Sequence, residues 1–234
     1  MTKRFFALFS RKPSILIVLA ALLLLAGIPA MSQTTGIDRQ FHWEYGGRTW
    51  TLIHRFCDAS YRFFRTLPRT LEYTEYDVYV SDWRDDDELC GLVAALETLA
   101  YSAGLNVWEK LNLVISFAQS IPYVTEETEY PRYPIETLVE MKADCEDASI
   151  LTAALLRQMG FGAVLLAFLE ERHMAVGVRV LPPDSSGHTY YTWNGDAYYY
   201  VEPTSVGWRI GELPAGYASR PEIIDPRATL ASTY

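Results

Sequence analysis

The stretch Tyr133-Pro-Ile-Glu-Thr-Leu-Val-Glu-Met-Lys-Ala-Asp-Cys-Glu-Asp-Ala-Ser-Ile-Leu151, running on to Gly160, decides the fold. Its second half carries helix punctuation at both ends. Asp144 is an N-cap residue with Asp147 three positions on, and acidic groups fill the first turn. Arg157 stands in the last turn, and Gly160 follows as a left-handed stop with Phe161 behind it. Between these ends, Ala148, Ile150, Leu151, Ala153, Ala154, Leu155, Leu156 and Met159 leave almost no polar face, so the helix is expected to be buried on most sides. Only Ser149 and Thr152 continue the side of Cys145. A cysteine in a first helical turn has unpaired backbone N–H groups and the positive dipole end beside its sulfur, and both lower its pKa. The competing reading is a small buried cysteine that merely packs.

Working outward, the 234 residues are 50% hydrophobic, enough for one well-cored domain and an extension. The net charge of −9, with no segment that concentrates Lys and Arg, argues against nucleic acid as a partner. Lys3, Arg4, Arg11 and Lys12 precede the uncharged span Ser14–Met31. Its length of about 18 residues meets the roughly 17–25 needed to cross a bilayer. A signal peptide with a small-residue exit near Ala30-Met31-Ser32 is the alternative. The uncleaved anchor is preferred: a single-pass cell-membrane protein whose basic residues stay inside while everything after Gln33 lies outside. Cleavage would instead give a secreted protein. The three cysteines suit an oxidising exterior: Cys57 and Cys90 are a disulfide candidate that leaves Cys145 free, and two independent thiols are the other reading.

Along the chain, residues 1–33 form the anchor or signal peptide and 34–104 a hairpin and helical extension. Residues 105–214 form the core and 215–234 a tail. Phe41 to Tyr45, Gly46-Gly47 and Arg48 to His54 alternate as a hairpin whose Trp43, Tyr45, Trp50 and Leu52 read as a packed face in preference to a carbohydrate platform. A short helix is expected over Asp58 to Arg65 and a strand over Tyr73 to Val80. Arg84 to Glu88 reads as a solvated helix start, without the spacing or mid-loop Gly of a calcium loop. The next helix spans about Asn106 to Ser120, with Gln119 and Tyr123 at its exit. Ala163 to Leu169 is continuously apolar, as in a strand covered on both faces. Arg172 to Val180 alternates, placing His173, Ala175 and Gly177 on one face. Thr189 to Trp193, Asn194-Gly195 and Asp196 to Glu202 form the clearest hairpin, because Asn-Gly suits a type I′ turn. The prolines beyond Gly211 suggest a surface extension.

The chemistry-bearing order is therefore Cys145 at a helix start, His173 on a strand 28 residues later, and Glu202 at a strand end 29 residues after that. A nucleophile, a general base and a carboxylate that fixes the imidazole tautomer are the parts of an acyl-transfer triad. Ala175 and Gly177 are small enough to let the Cys145 helix approach that face. Gln119 is the candidate side-chain donor to the oxyanion, beside the Cys145 N–H. Metal ligation is disfavoured, since no C-x-x-C or H-x-x-x-H pair occurs.

Several of these segments together resemble the transglutaminase-like superfamily. They are Tyr133-Pro-Ile-Glu-Thr-Leu138, Ala143-Asp-Cys-Glu-Asp147, Arg172-His-Met-Ala-Val-Gly-Val178, Tyr200-Val-Glu-Pro-Thr204 and Gly207-Trp-Arg-Ile-Gly-Glu-Leu-Pro214. The nearest branch is the prokaryotic, membrane-associated one related to bacterial transglutaminase-like cysteine proteinases. The resemblance covers roughly residues 105–214. It implies an α+β fold: a papain-like core with the Cys helix packed on an antiparallel sheet, here preceded by an N-terminal hydrophobic helix. It also implies that Cys145, His173 and Glu202 fill the family's Cys, His and Asp roles, with a protein or peptide substrate and no cofactor. Three positions depart from the pattern: Ala143 stands where Gly is common, Glu146 follows the cysteine where crosslinking enzymes usually have Trp, and the acid is Glu. These favour an exported thiol-dependent amide hydrolase over a crosslinking transglutaminase. A non-catalytic extracytoplasmic binding domain on the same fold is the further alternative.

Overall fold

Alternation in the first hairpin becomes burial on one face. The computed structural model describes residues 35–183 and 187–226. β1 (Gly36–Tyr45) and β2 (Arg48–Cys57) pair antiparallel, with Trp43 opposite Trp50 and Phe41 opposite Leu52. All four side chains are buried, and Phe41 and Trp43 meet Phe117 edge-on at 4.9 and 5.3 Å. Each contributes about 1.5–3 kcal/mol of hydrophobic stabilisation. The segment expected as anchor or signal peptide lies outside the described residues. Among those described, no helix is long and apolar enough to cross a membrane.

Short helices follow. α1 spans Asp58–Thr66, as the sequence leads one to expect. Tyr73 to Val80 is not the expected strand: it forms a 3₁₀ turn, Tyr73–Glu75, and then α2, Asp77–Val80. Tyr76, Tyr79 and Val80 are buried, an i, i+3, i+4 spacing that marks one side of a helix. α3 (Asp86–Ser102) begins with three acidic residues against its positive end, and α4 (Val107–Gln119) begins with a capping box of Asn106 and Glu109. α5 (Pro134–Glu140) has proline in its first turn and stops at Met141, whose φ is 53°.

α6 (Cys145–Gln158) is the anticipated buried helix. The Asp144 carboxylate accepts the Asp147 N–H at 3.2 Å, and Gly160 closes the other end with φ 83°. Ala143 is outside the left-handed region, so alanine is unstrained there. α6 lies against an antiparallel five-stranded sheet ordered β5-β6-β4-β3-β7. These strands are β3 (Gly162–Phe168), β4 (His173–Arg179), β5 (Tyr190–Trp193), β6 (Asp196–Val201) and β7 (Glu222–Ile224). The β5–β6 turn has φ 50° at Asn194 and 84° at Gly195, as a type I′ turn requires.

The sheet is covered on both faces, as the apolar β3 demands. Ala163, Leu165, Met174, Val176 and Val178 join the core shared with α6. Val164, Leu166, Phe168, Ala175, Tyr198 and Tyr200 form a second core on the other face. That division overturns the steric expectation for Ala175 and Gly177. A Cβ at Gly177 would meet Tyr198 Cβ at 2.9 Å and Val164 at 3.0 Å, so the small residue admits an aromatic hairpin and not the cysteine helix. The region beyond Gly211 is not only a surface extension. Its β7 pairs with β3, from Leu165–Ile224 to Ala167–Glu222, and Ile224 is buried. This pairing covers an edge of β3 that would otherwise be open to other chains.

Candidate active site

His173 opens β4 at the end of the sheet where α6 begins, and its position there matters more than the face it shares with Ala175. Cys145 and His173 both line a pocket of about 250 Å³. The sulfur accepts a hydrogen bond from the Met174 backbone, the residue next to His173. The imidazole lies against Tyr217, with ring centroids 5.0 Å apart. Its Nε2 stands 3.1 Å from Glu202 Oε2. With the proton on that nitrogen, Nδ1 keeps the lone pair a general base needs.

Glu202, only 2% exposed, is fully engaged. Tyr200 Oη donates to Oε2 at 2.6 Å, and Thr204 donates to Oε1 through Oγ1 at 2.6 Å and its N–H at 3.1 Å. Burial alone would raise its pKa, but the hydrogen bonds from His173, Thr204 and Tyr200 more than offset this and hold it below the usual range. Burial, and then the charge and hydrogen bond of Glu202, push the Tyr200 hydroxyl up. The acid is thus a charged, oriented acceptor for the imidazole.

Gln119 is placed behind Glu202. Its Nε2 donates to the carbonyls of Glu202 at 2.8 Å and Trp208 at 3.0 Å, which uses both amide protons, and it lines a cavity other than the one holding Cys145. Cys57 and Cys90 are free thiols, so the disulfide is not formed. The Cys57 N–H faces the Glu88 carboxylate at 3.3 Å, and Cys90, two residues further along α3, is turned about 200° from Glu88.

The electrostatics of the sulfur run against the dipole argument. Burial pushes the Cys145 thiol well above its ordinary range, and the charges of Glu146 and Asp144 push it further, while the Met174 N–H works the other way. A helix end offers about half a positive charge, and burial together with the adjacent acidic groups outweighs it. The thiol donates to Glu146 Oε2 at 3.0 Å and not to His173. Glu146 is itself pushed up to about 8 by burial, a hydrogen bond with Glu129 and the charge of Asp144. Glu129 accepts from Tyr76 Oη at 2.8 Å. Glu146, noted in the sequence only as a departure from Trp, therefore accepts the Cys145 thiol proton. Tyr217 and Glu129 carry no local pattern that identifies them; both arrive from loops. Among the described residues, no three His, Cys, Asp or Glu side chains are arranged to hold a metal ion.

This geometry has a measurable consequence. Above about pH 8 Glu146 is ionised and opposes formation of the thiolate. Glu146→Gln removes that charge, the thiol pKa falls, and the thiolate fraction at a fixed pH below it rises. Alkylation of Cys145 by iodoacetamide at pH 9 is expected to accelerate on the order of tenfold, one pKa unit. An unchanged rate would show that burial alone protects the sulfur.

No family model matches the chain, and no curated protein does. Among solved structures it is similar to Legionella pneumophila LapG, at 16% identity over 70% of this chain and 80% of that one, with a TM-score of 0.38. It is also similar to a Cytophaga hutchinsonii protein provisionally assigned as a cysteine protease, at 16% identity over 80% and 71%, with a TM-score of 0.37. A TGase shares 12% identity over 90% of this chain and 53% of its own, with a TM-score of 0.38. These are distant likenesses of fold. No residue role is carried over from them.

Proposed function

We propose that this chain is a transglutaminase-like thiol hydrolase that cleaves protein or peptide amides through Cys145, His173 and Glu202. The supporting observation is the buried His173–Glu202 pair at the mouth of the pocket that also holds Cys145. Cys145 Sγ turns from Glu146 toward the imidazole, gives its proton to Nδ1 and adds to the amide carbonyl. The Cys145 backbone N–H, first in α6 and without an intrahelical acceptor, stabilises the oxyanion. The imidazolium then protonates the leaving amine, and water activated by the same base releases the acyl group. Gln119 positions the acid through its backbone carbonyl. The proposed place of action is outside the cytoplasm, on the membrane or, if the leader is cleaved, secreted; the uncharged span before residue 33 supports this reading.

A non-catalytic binding domain draws support from one observation, the thiol held protonated by Glu146. Treating the full chain with a peptidyl vinyl sulfone and mapping the adduct separates the two readings. The enzyme is expected to be modified at Cys145 in preference to the exposed Cys90, and to hydrolyse a casein digest without incorporating a labelled primary amine. Equal modification of both cysteines, with no hydrolysis, favours the binding domain. Amine incorporation favours a crosslinking transglutaminase.

A further inference from the structure

A second cavity, of about 420 Å³, shares no lining residue with the pocket of Cys145 and has the size of a small-molecule site. Its floor is a stripe on α4. Asn112, Ser116 and Gln119 recur at helical spacing, and each is more than nine-tenths buried. Polar side chains so deeply buried normally satisfy each other or the backbone, and these do so only with their donors. Asn112 Nδ2 donates to the Trp108 carbonyl at 2.8 Å, Ser116 Oγ to the Leu113 carbonyl at 2.7 Å, and both amide protons of Gln119 are spent on Glu202 and Trp208. Asn112 Oδ1, Gln119 Oε1 and the Ser116 lone pairs have no donor among the described residues. The floor is a set of acceptors.

Half-buried aromatic rings, Tyr45, Trp108 and Trp208, stand above it, and the exposed side chains of Glu44 and Arg209 form the rim. Glu44 also accepts from Thr49 Oγ1 at 2.5 Å and keeps its charge, so the rim carries one charge of each sign. An anion is repelled by the acceptor floor. A cation finds no buried carboxylate in the lining, and on the rim Arg209 opposes it as much as Glu44 attracts it. A neutral ligand rich in O–H donors satisfies the floor, and C–H faces that carry partial positive charge suit the electron-rich faces of indole and phenol. One chemical class unites hydroxyl donors with apolar C–H faces. We infer that this cavity binds a saccharide, with a sugar ring stacked between Trp108 and Trp208 and its hydroxyls donating to Asn112, Ser116 and Gln119. The site adjoins the proposed hydrolytic centre through Gln119, which also holds the Glu202 carbonyl, but ligand binding there does not depend on hydrolysis.

The test uses the full chain in a zwitterionic, sugar-free detergent, with cellotriose, maltotriose and chitotriose as probes and N-acetyl-lysine amide as the cationic control. Binding is followed by tryptophan fluorescence and by saturation transfer to the sugar C–H protons. At least one trisaccharide is expected to bind with a Kd below about 1 mM, and Trp108→Ala and Asn112→Leu each to weaken it at least about tenfold. Alkylation of Cys145 reports that each variant is folded and is expected to be unchanged. Three results overturn the inference: no trisaccharide binding below about 10 mM, tighter binding of the lysine amide, or affinity retained in both variants.

Discussion

His173→Ala is expected to lower kcat/KM for peptide amide hydrolysis on the order of 10⁴-fold while leaving the fold intact. The imidazole is the one base near Cys145 whose second nitrogen is tied to a charged, buried carboxylate, and it lies at the pocket rim, where truncation removes little core. Glu202→Gln gives the sharper test of mechanism. Glutamine keeps the volume, but its amide nitrogen can occupy the Oε2 position and donate to Nε2, forcing the ring proton onto Nδ1. The base then presents a proton where it should present a lone pair, and a loss of about 10²–10⁴ is expected with binding retained. Glu202→Ala would confuse the result, because Tyr200 and Thr204 would lose their acceptor at about 1–3 kcal/mol for each buried group left unsatisfied. Activity within tenfold of the parent in His173→Ala would remove the imidazole from the mechanism and the hydrolase proposal with it.

The positions of Cys145, His173 and Glu202 were legible because each sits where one local rule acts: a capped helix start, an alternating strand, a strand end after an Asn-Gly turn. Their environment was not. Sequence spacing places the sulfur at a positive helix end, yet its ionisation depends first on how deeply the first turn is buried and then on Glu146, which is itself bonded to Glu129 from a loop. Gln119 shows the same limit. A glutamine at a helix exit reads as exposed and free, whereas its role follows from two carbonyls 83 and 89 residues away. In the fold, strong periodicity carried the hairpins and the long helices. Tyr73 to Val80 failed because its aromatic residues fit an alternating pattern as well as a helical one over so short a span, and packing decided. β7 failed because three residues hold no period; only the open edge of β3 calls for it.

Arg132→Leu is expected to cost about 3–5 kcal/mol of stability, the penalty for uncoupling a buried ion network by removing one partner. Arg132 is 2% exposed, in the loop before α5. Its guanidinium reaches Asp147 at 2.6 Å, Glu140 at 3.0 Å and Glu126, while its N–H donates to Asp147 Oδ1 at 2.7 Å. Burial opposes the charge, and the three carboxylates more than offset this, so the side chain is held firmly protonated. Leucine fills much of the space but leaves Asp147 buried and short of its main partner in the first turn of α6, two residues from Cys145. For a chain of this size the change corresponds to a fall in Tm of about 6–20 °C. Lys142→Ala removes a partner of the same Glu126, but Lys142 is more exposed, and its loss is expected to cost under about 1 kcal/mol. Arg132→Lys separates charge from geometry: one ammonium cannot reproduce a guanidinium that spans three carboxylates, so it is expected to recover less than half of the loss. Since this loop also carries Glu129, the melting experiment is paired with Cys145 alkylation at pH 9. Faster alkylation in Arg132→Lys at a temperature where the protein is folded would show that the network holds Glu129 and Glu146 over the sulfur. A Tm within 2 °C of the parent in Arg132→Leu, less than about 1 kcal/mol, would show that the network contributes nothing to stability.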